Sequence, residues 1–268
     1  MRAVLLDMMN IVSIIINGLW CMYAYYFGAN TCDTYIYDHD NKLKLDYYRP
    51  PNGITPKGII LYAHGGGWII GTRRNVPPGI LELLKSGYSI ASMSYRMLPQ
   101  HHFPDPVDDV HRAHAWIGKN LETLSTPAVP IIGWGLSAGA QIINYTALKS
   151  PHLFVGVISW YGFSNLSLTH QNHHPITRVL IKKYLRDIEA DAISLVSDKS
   201  PSFYIVHGGR DSFVNTSQSI DLYHQLSLAQ NPSRLQIYPQ FYHGDWRFNF
   251  QKNIEETKLF LDLIAAID

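Results

Sequence analysis

Apolar and polar positions divide the chain into three stretches. Met8 to Phe27 (MMNIVSIIINGLWCMYAYYF) holds no charged residue and is about long enough to cross a bilayer as a helix. Asn10, Ser13, Asn17 and Gly18 interrupt it. Beyond it, Thr34–Asp38 and Lys42–Tyr48 alternate in character across a polar Asp-His-Asp-Asn link, which predicts an antiparallel hairpin. Pro50-Pro51-Asn52-Gly53 ends the second strand. From there short apolar runs alternate with amphipathic ones. Strands are predicted over Gly58–His64, Tyr88–Ser94, Val129–Trp134, Leu153–Tyr161, Ser202–His207 and Arg234–Tyr238. Helices are predicted near Pro78–Ser86, Pro106–Leu121, Ala138–Leu148, Ser217–Ala229 and Asn253–Ile267, and the long segment Gly162–Pro201 is expected to form a small lid. The alternation implies an α/β fold with a mostly parallel sheet of about eight strands, helices on both faces and an antiparallel edge. Functional residues in that architecture gather beyond the carboxyl ends of the strands.

With 268 residues, 46% of them hydrophobic, the chain can bury one sizeable core. A single catalytic domain over residues 31–268 is expected, preceded by an apolar leader over 1–30. A formal net charge of +1, with no block of either sign, gives no basic field for nucleic acid. Cys21 and Cys32 lie away from every motif and are too few for a disulfide framework. The leader has three readings: an imperfect signal peptide, a signal anchor, or a helix and loop capping the catalytic domain. Arg2 is accompanied by Asp7, and the cleavage candidates Ala24 and Ala29 have Met22 and Phe27 at the −3 position. Signal or anchor is placed first, so a secreted or membrane-anchored protein is favoured over a cytoplasmic one, with residues 8–27 as the membrane-associating segment.

Candidate chemistry centres on Gly135-Leu136-Ser137-Ala138-Gly139. An apolar strand runs into this Gly-x-Ser-x-Gly and a helical composition follows, so Ser137 is expected on a sharp strand-to-helix turn, pushed out of the sheet. Gly135 and Gly139 keep side chains out of the place where strand and helix converge. By itself the pattern is weak. Upstream, His64-Gly65-Gly66-Gly67-Trp68 leaves another strand; its glycines let backbone N–H groups face a cavity, although taken alone they read first as a flexible turn, and it is the pairing with a serine elbow after a later strand that makes the combination specific. Phosphate cradling is disfavoured, because neither Gly-x-Gly-x-x-Gly nor a Gly-Lys-Ser/Thr ending is present.

A serine hydroxyl needs a base, and the base needs an acid to hold its tautomer. In an elbow architecture both come later in the chain, acid before base. Asp211 falls in the loop after strand Ser202–His207, and His243 in the loop after Arg234–Tyr238. Thirteen histidines are available; position after the last strand singles out His243. Asp245 is the rival acid, but only two residues from His243 it suits a capping role better.

These stretches, with Ser94-Tyr95-Arg96-Met97-Leu98-Pro99, Phe103-Pro104, Asp108-Asp109-Val110, His207-Gly208-Gly209-Arg210-Asp211 and His243-Gly244, resemble the α/β-hydrolases. Within them the chain is similar to the esterase/lipase group, which includes hormone-sensitive-lipase-like carboxylesterases and compact acetyl- and feruloyl-esterase-like enzymes. The resemblance covers about Tyr35 to the C-terminus. It implies Ser137 as nucleophile, His243 as base, Asp211 as orienting acid, and the N–H groups of Gly66, Gly67 and Ala138 as oxyanion hole, with Gly65 permitting the turn. Leu136 and Ala140 stand where the hormone-sensitive-lipase-like branch usually has Asp and Gly, and that branch's large helical cap has no room here, which favours the compact branch. His-Gly-Gly-x-Trp also resembles the arylformamidases.

The expected function is hydrolysis of small to medium carboxylic esters through an acyl-enzyme, with no metal or organic cofactor called for. Alternatives are formamidase or amidase chemistry on the same triad, and a hydrolase-fold protein that binds small molecules without turnover. Among aromatics flanking the loops, Trp68, Trp134, Tyr161, Phe213 and Trp246, most are expected to pack in the core; Trp68, Tyr161 and Phe213 are put forward as lining the substrate pocket. Asp108, His111 and His114 share a helical face but lack a second ligand pair of metal-hydrolase type, and read as a solvated face. Arg96 is expected to pair with Asp109 or Asp108. His170, His173 and His174 read as polar surface of the lid, and the Asn144 sequon as inaccessible.

Overall fold

The computed structural model of the chain describes residues 2–28, 32–167, 174–186, 188 and 190–265. Its centre is an eight-stranded sheet in the order β1-β2-β4-β3-β5-β6-β7-β8. The strands are β1 (Cys32–Asp38), β2 (Leu43–Tyr48), β3 (Gly58–Ala63), β4 (Tyr88–Met93), β5 (Ile131–Leu136), β6 (Gly156–Trp160), β7 (Ser202–Gly208) and β8 (Arg234–Tyr238). β1 and β2 form the expected antiparallel hairpin; from β4 to β8 every pairing is parallel.

Alternate residues of each central strand face opposite layers, so both faces must be covered. Ile59, Leu61 and Ala63 join a core built with α3 (Asp105–Lys119), α4 (Ala138–Lys149) and α6 (Ser217–Leu228). Ile60 and Tyr62 join the opposite core, with α2 (Pro78–Leu81) and α7 (Gln251–Ile264). The helix expected near Pro78–Ser86 keeps one α-helical turn and tightens into a 3₁₀ turn over Glu82–Ser86. Gly87, at φ 87°, then reverses the chain into β4. β5 starts after Pro130, which has no N–H to give a ladder, and runs two residues beyond the expected end, directly into Ser137.

The segment after β6 carries α5 (Pro175–Leu185), whose first turn is capped by His174 accepting the Ile176 N–H. His170 and His173 lie outside the described residues, as does Ala29. The leader forms one helix, α1 (Arg2–Phe27). It rests on the α/β domain along one side, where Asn10, Ser13 and Cys21 are buried. By length and composition the same helix is also apolar enough to cross a membrane.

Candidate active site

The turn between β5 and α4 is a strained one. Ser137 sits at φ 53°, ψ −117°, a region that L-residues enter only when their surroundings hold them there. A Cβ on Gly135 would run into the backbone of Ala140, and one on Gly139 into the carbonyls of Ala63 and His64. The Ser137 N–H is tied to the Trp160 carbonyl of the next strand at 3.0 Å. Held this way, Ser137 projects its hydroxyl toward the loops that follow β3, β7 and β8.

Those loops bring together all three residues proposed as a triad. The Asp211 carboxylate accepts the His243 Nδ1–H at 2.6 Å, which leaves Nε2 to accept the Ser137 hydroxyl at 2.9 Å. The other carboxylate oxygen accepts the N–H groups of Phe213 (3.0 Å) and Val214 (2.8 Å). The Asp211 and His243 loops are joined by backbone: Gly209 N–H to Tyr238 O and Arg210 N–H to Phe241 O. Burial alone would raise the Asp211 carboxyl, but His243 and His207 beside it outweigh that and hold it at about 2.

His207 was not singled out from the sequence. Its Nε2 lies between two acceptors, Asp211 Oδ2 at 3.1 Å and Val214 O at 3.0 Å, so that nitrogen carries the proton. Nδ1 then accepts the Ser219 hydroxyl at 2.6 Å. The only signal available was its place at the end of the strand leading to the acid. Asp245 takes no part in the triad: it accepts the N–H groups of Tyr242 and Arg247 and pairs with the Arg247 guanidinium, capping the loop as expected.

The glycine loop lies against the elbow, since a Cβ on Gly65 would press on Ser137 Cβ at 3.3 Å. Gly66 and Gly67 adopt φ 128° and 62°. The Gly66 carbonyl points away, accepting the N–H groups of Ile69 (3.2 Å) and Ile70 (3.1 Å), while the N–H groups of Gly66 and Gly67 have no acceptor among the described residues. The Ala138 N–H opens α4 and belongs to the first helical turn, whose donors lack intrahelical partners. Behind the loop, the buried His64 ring bonds the Gly65 carbonyl through Nδ1 at 2.8 Å and stacks on Tyr95 at 4.4 Å. Burial pushes this imidazole down to about 4.

A cavity of about 450 Å³ opens over Ser137 and His243. Trp68, Tyr161 and Phe213 all line it. Trp68 is the most constrained, stacked on Tyr184 at 4.5 Å with its indole N–H on Gln141. Tyr161 sets its ring 5.1 Å from that of His243. Trp134 packs in the core and Trp246 against Trp20 of α1. α5 contributes Ile176, Thr177 and Leu180 to the cavity, and α1 contributes Ile14, Asn17, Gly18 and Cys21.

α1 also reaches the catalytic loops. The wholly buried Asn10 side chain accepts the His243 N–H at 2.7 Å and the Ser212 N–H at 3.4 Å, and donates to the Arg210 carbonyl at 3.2 Å. The sequence held a signal for this contact. Asn10, Ser13, Asn17 and Gly18, which only weakened a membrane segment when read linearly, fall on one side of a helix at steps of three, four and one.

Elsewhere, Arg96 pairs with Asp109 rather than Asp108, through both its guanidinium and its backbone N–H. Asp108 is exposed and His111 and His114 half-buried; no group of His, Cys, Asp or Glu able to hold a metal occurs among the described residues. Asn144 is buried against Ser159.

The BD-FAE family model matches residues 45–226, more than half of the chain. The chain belongs to the BD-FAE family. It is 29% identical over 246 residues to a rice protein (Oryza sativa subsp. japonica) named "probable isoprenylcysteine alpha-carbonyl methylesterase", covering 81% of this chain and 57% of that one. With the esterase LipQ of Mycobacterium tuberculosis it shares 26% identity over 218 residues, 72% of this chain and 52% of LipQ. The chain thus spans about half the length of the curated relatives it matches. A bacterial heroin esterase superposes with a TM-score of 0.77 at 21% identity, covering 97% of this chain and 91% of that one. The fold of this BD-FAE member is that of the α/β-hydrolase esterases.

Proposed function

We propose that this protein is a serine hydrolase of small to medium carboxylic esters. The observation that carries the reading is the unbroken hydrogen-bonded series Asp211, His243, Ser137 at the wall of a cavity. His243 Nε2 takes the hydroxyl proton as Ser137 Oγ attacks the ester carbonyl, and Asp211 stabilises the imidazolium that forms. The carbonyl oxygen, now negative, is held by the N–H groups of Gly66, Gly67 and Ala138. As the tetrahedral intermediate collapses, His243 gives the proton to the departing alkoxide and the acyl group stays on Ser137. Water, deprotonated by His243, then attacks the acyl-enzyme; the acid leaves and the serine regains its proton. Trp68, Tyr161 and Phe213 bound the space for the acyl and alcohol groups. Residues 8–27, apolar and largely outward-facing, give the enzyme a surface for lipid.

The test uses the full chain, short-chain p-nitrophenyl esters of increasing acyl length, N-formyl aryl substrates, and a fluorophosphonate probe. Ester turnover with labelling of the wild type is expected, and in Ser137→Ala a loss of labelling with turnover reduced by ~10⁴ or more. Normal labelling of Ser137→Ala overturns the assignment. Preference for formyl aryl substrates over acetyl esters transfers the same triad to formamidase chemistry, and binding of small acyl compounds with neither labelling nor turnover identifies a non-catalytic binder.

A further inference from the structure

α1 has two faces of different character. The inner one is small and polar: Asn10 bonds the catalytic loops, Asn17 accepts from Asn249, and Ile14 rests on Gly244 beside His243. The outer one is apolar and uncovered. Leu5, Met8, Val12, Ile15, Leu19 and Met22 are between 46% and 61% exposed, and no charged residue lies between Met8 and Tyr26. At 100° per residue the outward apolar positions from Val4 to Tyr26 cover an arc of roughly 160°. A helical partner, including a second copy, uses a narrow seam of two positions in seven, and would leave most of this arc in water.

The arc continues into the mouth of the cavity. Ile14 of α1, Ile70 after the glycine loop and Ile176 of α5 line the cavity while being 39%, 67% and 58% exposed themselves. Residues that both line a cavity and face outward form its opening, and here that opening is apolar on three sides. α1 is long and apolar enough to cross a bilayer. Crossing would tear Asn10 from the His243 N–H and expose the polar stripe to hydrocarbon, where each unsatisfied group is costly.

We propose that α1 lies in the plane of a lipid bilayer as the roof of the active site, its inner face completing the site and its outer face seated among acyl chains. Esters bearing an apolar chain then enter from the bilayer through the mouth formed by Ile14, Ile70 and Ile176. The proposal rests on the esterase reading for its substrate and on α1 for its membrane contact, and the two are measured separately.

Full-length protein is added to preformed phosphatidylcholine vesicles and floated on a density gradient, and turnover is followed both with a soluble short-chain p-nitrophenyl ester and with a long-chain ester dissolved in the vesicles. The wild type is expected to float with the vesicles and to keep its soluble-ester turnover while bound. Ile15→Glu/Leu19→Glu, on the outer face and away from the cavity, is expected to stay at the bottom of the gradient. It should keep soluble-ester turnover within about twofold and lose about tenfold or more on the vesicle-borne ester. Failure of the wild type to float, or equal flotation of the variant, overturns the proposal. So does loss of soluble-ester turnover on vesicle binding, which means that α1 has left the domain to cross. A lipid-free dimer of the wild type that the double variant converts to monomer assigns the face to a second copy instead. Flotation without hydrolysis of either ester refutes the esterase reading and the substrate delivery built on it, and leaves only the membrane seat.

Discussion

The floor and the roof of the cavity are held in different ways. On the floor, Ser137, His243 and Asp211 are each less than a tenth exposed; Ser137 directly follows β5, and Asp211 and His243 sit in the short loops after β7 and β8. Backbone ties between those loops leave the side chains little freedom. In the roof, α5 packs Ile181, Tyr184 and Leu185 into the core, whereas α1 meets the domain through Asn10 on the His243 loop, Asn17 on Asn249 and the contact of Trp20 with Trp246, with Asp7 facing His174 of the other roof element. The roof's outer surface is largely exposed. The residues proposed for the chemistry are fixed by the sheet, while the elements laid over it are those proposed to set access.

The sharpest way to break that contrast is on the floor. Gly66 stands at φ 128°, and a Cβ there would run into the Ile70 carbonyl, so Gly66→Ala must rotate the loop and with it one proposed oxyanion donor. Losing one such donor costs about 10²–10³ in turnover. A fall of that size in kcat on a short ester, with fluorophosphonate labelling still directed to Ser137, is expected; unchanged kcat removes Gly66 from the oxyanion hole.

Asn10 joins the two regions and should give a smaller effect. Truncation in Asn10→Ala strands the buried His243 N–H, whose loss of partner costs about 1–3 kcal/mol, and loosens the base loop without touching the cavity wall. A kcat lower by about tenfold with a nearly unchanged KM for the short ester is expected. A raised KM at constant kcat instead makes α1 a substrate-binding wall only. Steady-state kinetics distinguish the two.

The same division explains which features are legible in the sequence. Gly135, Gly139 and the run Gly65–Gly67 are glycines because a side chain would strike neighbouring backbone or sit at a positive φ; such constraints are local and leave a linear pattern. Asp211 and His243 needed only the order of strands. The helix boundaries near Pro78 and the start of β5 slipped because a 3₁₀ turn and a proline without N–H alter the ladder while keeping the apolar pattern. The roles of His207 and Asn10 leave no linear pattern for a deeper reason: each works through a partner brought near by tertiary packing, with Asn10 200 or more positions away from the loops it holds. An apolar run interrupted by asparagines reads as a poor membrane segment until the helix is placed on the domain.

An effect expected on stability rather than on rate comes from His64, which braces the glycine loop from within. Its ordinary value is 6.5 and burial lowers it to about 4 in the folded protein. Between those values the unfolded chain binds a proton that the folded chain refuses, so this contribution is fully present above pH 6.5 and is lost as pH falls toward 4. The shift corresponds to ~3 kcal/mol at full extent. Asp211, held at about 2 against an ordinary 3.8, contributes in the same direction only below that window. His111 and His114 are also lowered by burial and add to the decline, but they are unchanged in His64→Gln. Urea midpoints measured between pH 7.5 and 4.5 should therefore fall less steeply in His64→Gln than in the wild type, with the difference opening below about pH 6.5. Parallel curves mean that His64 takes up its proton equally in the folded and unfolded chains, so that burial does not lower it.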